Sequence, residues 1–133
     1  REQDIHYELM PFMDRYELIR YYGLCDVVII PSYYDGMPNV LLEAGALGVP
    51  VIGSDTGGIH DVLHPESRNM LFKSGDPDHL RQLILEFLGL SPEERKARGD
   101  LLKQVIETRF THEKELKEIA NLILSPHGTK FIV

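Results

Sequence analysis

Short, unbroken β-branched runs alternate along the chain with stretches whose apolar residues recur every three or four positions. Val27-Val28-Ile29-Ile30 has no polar alternation, the pattern of a strand buried on both faces in a parallel sheet covered by helices. Val49 to Gly53 is a second such run and Met70 to Phe72 a third, smaller one. Ile5 to Met10 is also β-prone and is ended by Pro11. Between these runs lie helices. Asp14 starts one, with Glu17 completing a capping box, Leu18, Ile19 and Tyr22 as the apolar stripe and Gly23 as the stop. Pro38 to Leu47 is the next, with proline at its first position and Gly48 as the left-handed cap. A short helix near Ile59 to Leu63 follows the Gly57-Gly58 turn. Asp76-Pro77 caps an amphipathic helix whose stripe is Leu80, Leu83, Ile84, Phe87 and Leu88. Ser91-Pro92-Glu93-Glu94 opens another, which Thr111 restarts after Phe110. Strand, helix, strand, helix, strand predicts an α/β fold with an open parallel sheet. One domain is expected over residues 1–124, with a loose tail over 125–133.

Composition narrows the function. The chain has 133 residues, 43% of them hydrophobic, enough for one domain with a core. Fourteen Lys and Arg against 21 Asp and Glu give a net charge of −7, so a nucleic-acid partner, which needs a basic face, is not expected. Residues 1–90 carry 6 basic and 14 acidic side chains, whereas residues 91–118 carry 7 of each. The second set reads as a solvated helical surface laced with opposite charges. A phosphate bound by the first set must be held by backbone amides or by basic residues outside this chain. The single cysteine, Cys25, excludes an intrachain disulfide and reads as a small core residue at the start of a strand. No apolar run is long enough for a transmembrane segment. No signal peptide opens the chain, and Arg1 is not a translation start, so a piece of a longer protein is expected.

The segment after the first buried strand carries the candidate chemistry, because ligands of such sheets sit beyond the carboxyl ends of the strands. It reads Pro31-Ser32-Tyr33-Tyr34-Asp35-Gly36-Met37-Pro38-Asn39-Val40-Leu41-Leu42-Glu43. Asp35 falls in the loop and Glu43 in the helix. Gly36 lets the backbone approach a ligand closely. The amides of Met37, Asn39 and Val40 at the helix start form an anion site strengthened by the helix dipole. A polyhydroxylated ligand with a phosphate fits this arrangement. From spacing alone, a capping Asp35 and a solvated Glu43 fit equally well.

The ordered set Pro31-Ser32-x-x-Asp35-Gly36-x-Pro38, then Leu42-Glu43-Ala44-x-Ala46-x-Gly48-x-Pro50-Val51-Ile52, then Gly57-Gly58-x-x-Asp61, resembles the signature of the family 4 retaining glycosyltransferases (group 1). The likeness covers roughly residues 5 to 124 and is to the carboxyl-terminal, donor-binding half of their two-domain GT-B fold. It implies a partial Rossmann-like parallel sheet with flanking helices, and a hexosyltransferase-like enzyme as a full-length protein. The family's paired acids, E-x7-E, fall on Asp35 and Glu43. By this resemblance Asp35 is the catalytic acid beside the donor sugar and Glu43 takes the ribose hydroxyls of the nucleotide. Gly36, Met37, Pro38, Asn39 and Val40 lie against sugar and phosphates. Aspartate is one methylene shorter than the family's glutamate, which leaves the preferred sugar open. Gly45 stands where the family often has a larger apolar residue, a matter of packing.

The resemblance implies a nucleotide-sugar donor, an acceptor of unknown identity, and an amino-terminal acceptor domain of the same protein. No cofactor and no obligatory metal are expected, and no Asp-x-Asp pair offers two carboxylates to a metal except Asp76-Pro77-Asp78, which reads as a helix start. The location implied is cytoplasmic, with peripheral membrane contact through the missing domain left open. The isolated piece is expected to be inactive, and to associate through parts of the Val27–Ile30 and Val49–Ile52 strands left uncovered. The alternative is a non-catalytic nucleotide- or sugar-binding module related to these enzymes, which the aspartate at position 35 favours. A dehydrogenase is a poor third reading, because the glycines never form G-x-G-x-x-G. The Gly57-Gly58 turn, with Asp61, could bring amides near the donor or be a tight turn. His60 and His64, without a third ligand in reach, read as solvated. Tyr33 and Tyr34 fit stacking on a ligand and packing alike.

Overall fold

The computed structural model describes residues 6–33, 36 and 38–110. Three parallel strands, β1 (Val28–Ile30), β2 (Val51–Ser54) and β3 (Leu71–Phe72), form one sheet in that order. Helix α1 (Arg15–Leu24) precedes it, α2 (Asn39–Ala46) links β1 to β2, α3 (Gly57–Leu63) and a 3-10 turn at Arg68–Met70 link β2 to β3, and α4 (Pro77–Leu88) and α5 (Pro92–Arg109) follow. Because every strand runs the same way, the loops after β1, β2 and β3 leave the sheet at one edge. That edge is where the expected α/β sheet should carry its site.

The register pairs Val28 with Val51, Ile29 with Ile52 and Ile30 with Gly53, then Gly53 with Leu71 and Ser54 with Phe72. The central strand is buried along its whole length, as its unbroken run predicts. Strand β1 departs from that expectation. Among the described residues it pairs with β2 alone, and Ile29 is 38% exposed. An edge strand covered on one face accounts for this. Uncovered apolar surface is thus present on β1 and absent from Val51 and Ile52. It continues on the amino-terminal segment and α1, where Phe12, Tyr16 and Leu24 face solvent. His6 to Met10 form no strand. A β-prone stretch needs a ladder partner, and the described sheet offers it none.

Local signals set most boundaries. Asp14 accepts the Glu17 N–H at 3.0 Å and starts α1. The helix runs through Gly23 to Leu24, since one glycine costs only about 1 kcal/mol against alanine. Cys25 is therefore its exposed C-cap, with Sγ donating to the Tyr21 carbonyl at 3.2 Å, and is not a core residue. Pro38 is the N-cap of α2, one position earlier than expected, and Gly48 adopts φ +77° just past its end. In α4, Asp76 accepts the His79 N–H at 3.0 Å, and Leu83 and Phe87 are buried. Leu88 is 58% exposed: at about 100° per residue it lies well round the helix from Leu83 and Phe87. The Ser91–Glu94 capping box is complete in both directions.

Helix α5 crosses α2, with Gly45 under Leu102 and Ile106, and Gly99 against the Gly48 carbonyl. The core joins both faces of the sheet through Leu41, Ile52, Ile59, Leu63, Phe87 and Leu102. None of the described helices is long and apolar enough to cross a membrane. The expected helix restart at Thr111 and the tail from Ser125 lie outside the described residues.

Candidate functional site

The segment leaving β1 is fastened from three neighbours along the shared edge. Ser54, fully buried at the end of β2, donates its hydroxyl to the Ser32 carbonyl at 2.6 Å and lies 3.3 Å from that of Ile30. Ser74, between β3 and α4, reaches the Ser32 and Tyr33 carbonyls at 3.3 Å. The Gly58 N–H at the start of α3 donates to the Gly36 carbonyl at 2.8 Å. Every one of these bonds is to the loop backbone, so its path is set from three sides. The Tyr33 side chain is exposed and its ring edge passes over Gly75, where a Cβ would come within 3.2 Å of Cε1.

At the Gly57-Gly58 turn, Gly57 takes a positive φ of +39°, as a tight turn allows. The Gly58 amide is already bonded to Gly36 and fastens the loop. Asp61 is exposed, and its stretch is held from α5, where Arg109 donates to the Val62 carbonyl at 3.2 Å and pairs with Glu66 at 3.4 Å.

Of the expected site residues, Gly36 is exposed, Pro38 half-buried, and Asn39 and Val40 occupy the first two positions of α2. The first amides of a helix have no intrahelical acceptor. Pro38, the N-cap of α2, makes no side-chain cap hydrogen bond to them. Asp35, Met37 and Tyr34 lie outside the described residues.

Glu43 lies further along α2 and is not a solvated helical residue. Its Oε1 is 3.0 Å from Arg15 Nε, and its side chain is 15% exposed against 60% for the arginine. Arg15, which sequence position kept apart from the loop, arrives because α1 packs beside α2. The same carboxylate reaches into the core: burial first, then Glu43 and Cys25, raise the Tyr22 hydroxyl above the ordinary tyrosine range.

At the end of β2, Asp55 Oδ1 hydrogen bonds to His60 Nδ1, and the His60 ring stacks on His64 with centroids 4.8 Å apart. His64 is exposed as expected, whereas His60 is half-buried and engaged. Among the described residues no group of three or more His, Cys, Asp or Glu could hold a metal ion.

Sequence reasoning missed Ser54, Ser74 and the Arg15 pairing. The available hint was Ser54 itself, a lone hydroxyl closing an apolar strand.

Known proteins agree with the motif. The profile of the family described as glycosyl transferases group 1 matches residues 1–104. The chain is 27% identical over 124 residues to an amylovoran biosynthesis glycosyltransferase of Erwinia amylovora, covering 87% of this chain and 30% of that protein. It is 35% identical over 74 residues to a D-inositol 3-phosphate glycosyltransferase of Corynebacterium jeikeium, or 53% of this chain and 18% of that protein. Sucrose-phosphate synthase from Thermosynechococcus elongatus matches in structure with a TM-score of 0.75 at 29% identity, over 83% of this chain and 27% of the synthase. This chain thus spans under a third of the length of each relative. With its parallel sheet, flanking helices and paired-acid loop, it belongs to the group 1 glycosyltransferases and is similar to a GT-B glycosyltransferase domain.

Proposed function

We propose that this chain is the donor half of a retaining glycosyltransferase, binding a nucleotide sugar for transfer to an acceptor held by another domain of the same protein. The observation that carries this reading is the loop after β1. It bears the family's acid pattern and is fastened by its backbone at the carboxyl edge of a parallel sheet.

In this reading Glu43 accepts hydrogen bonds from the ribose hydroxyls. Arg15 holds Oε1, which turns the carboxylate and leaves Oε2 for the sugar. The amides of Asn39 and Val40, aligned with the α2 dipole, meet the phosphates. Gly36, Met37 and Pro38 form the floor under phosphate and sugar. Asp35 stands beside the donor sugar, where its charge stabilises the positive character that develops at the anomeric carbon as the diphosphate leaves. The acidic balance of residues 1–90 assigns the remaining phosphate neutralisation to basic groups beyond this chain. Transfer needs no obligatory divalent ion and no cofactor.

Titrating UDP-, GDP- and ADP-sugars into the protein tests the reading. Saturable binding of at least one, persisting in chelator, is expected. No binding of any would contradict it, and binding restored only by manganese would contradict the metal-free reading. The shorter Asp35 favours a second reading, a binding module without transfer. It predicts the same binding and, in the full-length protein, no release of nucleoside diphosphate at any acceptor concentration.

A further inference from the structure

We infer that His60, held by Asp55, is a positioning residue for the donor loop. This inference rests on the donor reading above and names a residue that the paired-acid pattern does not include.

Asp55 is the first residue after β2, and its N–H donates to the Phe72 carbonyl of β3 at 2.8 Å. Its backbone is thereby tied to the sheet. Its carboxylate meets Nδ1 of His60, which lies in α3. The far ring face of His60 is backed by His64, nearly parallel at 11°. The imidazole thus sits between a fixed carboxylate and a second ring, and the pair closes across the turn Thr56-Gly57-Gly58-Ile59.

That segment lacks a side-chain cap. Thr56 is the N-cap of α3, yet its side chain makes no cap hydrogen bond. Its Oγ1 is buried with no hydrogen-bond partner among the described residues. A missing cap of this type weakens a helix start, and a seven-residue helix has little stability of its own. Gly57, at φ +39°, takes a backbone conformation that glycine adopts without strain. The Asp55–His60 bridge adds a side-chain tie between the start of α3 and the sheet, beside the Thr56 N–H to Ser54 carbonyl bond at 2.8 Å and the buried Ile59 against Gly53. The start of α3 in turn presents the Gly58 N–H to the Gly36 carbonyl at 2.8 Å. A looser turn therefore means a looser donor loop.

The test compares His60→Leu, Asp55→Ala and His60→Asn with the parent protein. Asparagine places an N–H donor near the position of Nδ1, whereas leucine has none. Two readouts are taken: hydrogen exchange at the Gly58 amide without ligand, and the affinity for whichever of UDP, GDP and ADP the parent binds best. His60→Leu and Asp55→Ala should each speed Gly58 exchange and weaken binding by about three- to tenfold. The double variant should be no worse than either single one, because both break one interaction. His60→Asn should recover most of both readouts. Unchanged Gly58 exchange and affinity in the leucine variant would overturn the inference, as would an asparagine variant no better than leucine. If His60→Leu does not fold, Asp55→Ala and His60→Asn decide by the same criteria. A parent protein that binds none of the three diphosphates removes the donor reading and this inference together. Normal parent binding that is weakened by Glu43→Ala and untouched by His60→Leu removes this inference alone.

Discussion

Arg15 Nε lies 3.0 Å from Glu43 Oε1, joining the first turn of α1 to the middle of α2. The pair is lopsided, with the arginine largely in solvent and the carboxylate largely shielded. A pair so open to water contributes about 0.2–1 kcal/mol to stability. Its larger consequence is orientation, because it fixes which carboxylate oxygen is free. Arg15→Ala should shift the unfolding midpoint little and weaken nucleotide binding severalfold. Calorimetric titration beside a denaturant melt checks this. Tighter binding in the variant would mean that Arg15 obstructs the carboxylate.

Asp35 is predicted to separate turnover from binding. Asp35→Asn keeps the size of the side chain and removes its charge. In the full-length protein, release of nucleoside diphosphate from the donor should fall at least about tenfold, as when one stabiliser of developing charge is lost. Affinity for the bare diphosphate should hold, since that ligand has no sugar for Asp35 to face. Equal losses in both measurements would reduce Asp35 to a loop-shaping residue.

Tyr22 gives a pH dependence of defined sign. Burial raises its hydroxyl above the ordinary range, with Glu43 and Cys25 adding to the effect. An unfolded tyrosine ionises near pH ~10. Below that, both states carry the neutral hydroxyl and this contribution is complete. Above it, the unfolded chain releases its proton while the folded one keeps it, so stability falls until the folded hydroxyl also ionises. Tyr22→Phe should flatten the alkaline limb of a stability profile and leave the neutral region nearly unchanged. The same alkaline slope in both proteins would contradict the assignment.

Gly99 tests the crossing of α5 and α2. Alanine is favoured over glycine within a helix by about 1 kcal/mol. A Cβ here would run into the Gly48 carbonyl, with Pro50 Cδ at 3.3 Å. The obstacle is backbone, and Gly48 is itself held at φ +77°. Overpacking costs about 1–3 kcal/mol, and the clash outweighs the propensity. Gly99→Ala should therefore lower the urea midpoint. Gly89→Ala, whose nearest neighbour would be 3.4 Å away, should not.

The frame of the fold was legible because its signals are local. The unbroken β-branched runs, the Asp14, Asp76 and Ser91 caps and the Gly48 stop each act within a few residues. The loop was legible through its motif. What fastens it was not, because the Ser54 and Ser74 hydroxyls reach carbonyls 22 and 42 residues away and a single serine carries no long-range signature. Arg15 and Glu43 meet only through helix packing. Cys25 misled for the opposite reason. Its apolar neighbours suggested burial, which depends on what covers β1 and α1 rather than on the run itself. His60 looked solvated because no third metal ligand lies near it in sequence, and its tie to Asp55 depends on how tightly the Gly57-Gly58 turn closes.

The most direct measurement is the affinity of Glu43→Ala for the nucleoside diphosphate that the parent protein binds best, taken by calorimetry with the fold of both proteins verified by their melts. Loss of a charge-assisted hydrogen bond costs about 1.5–3 kcal/mol, which is about ten- to hundredfold in affinity. The account predicts a loss in that range with the variant still folded. A folded variant that binds the diphosphate as tightly as its parent would contradict it, and would leave Glu43 as no more than the ion-pair partner of Arg15.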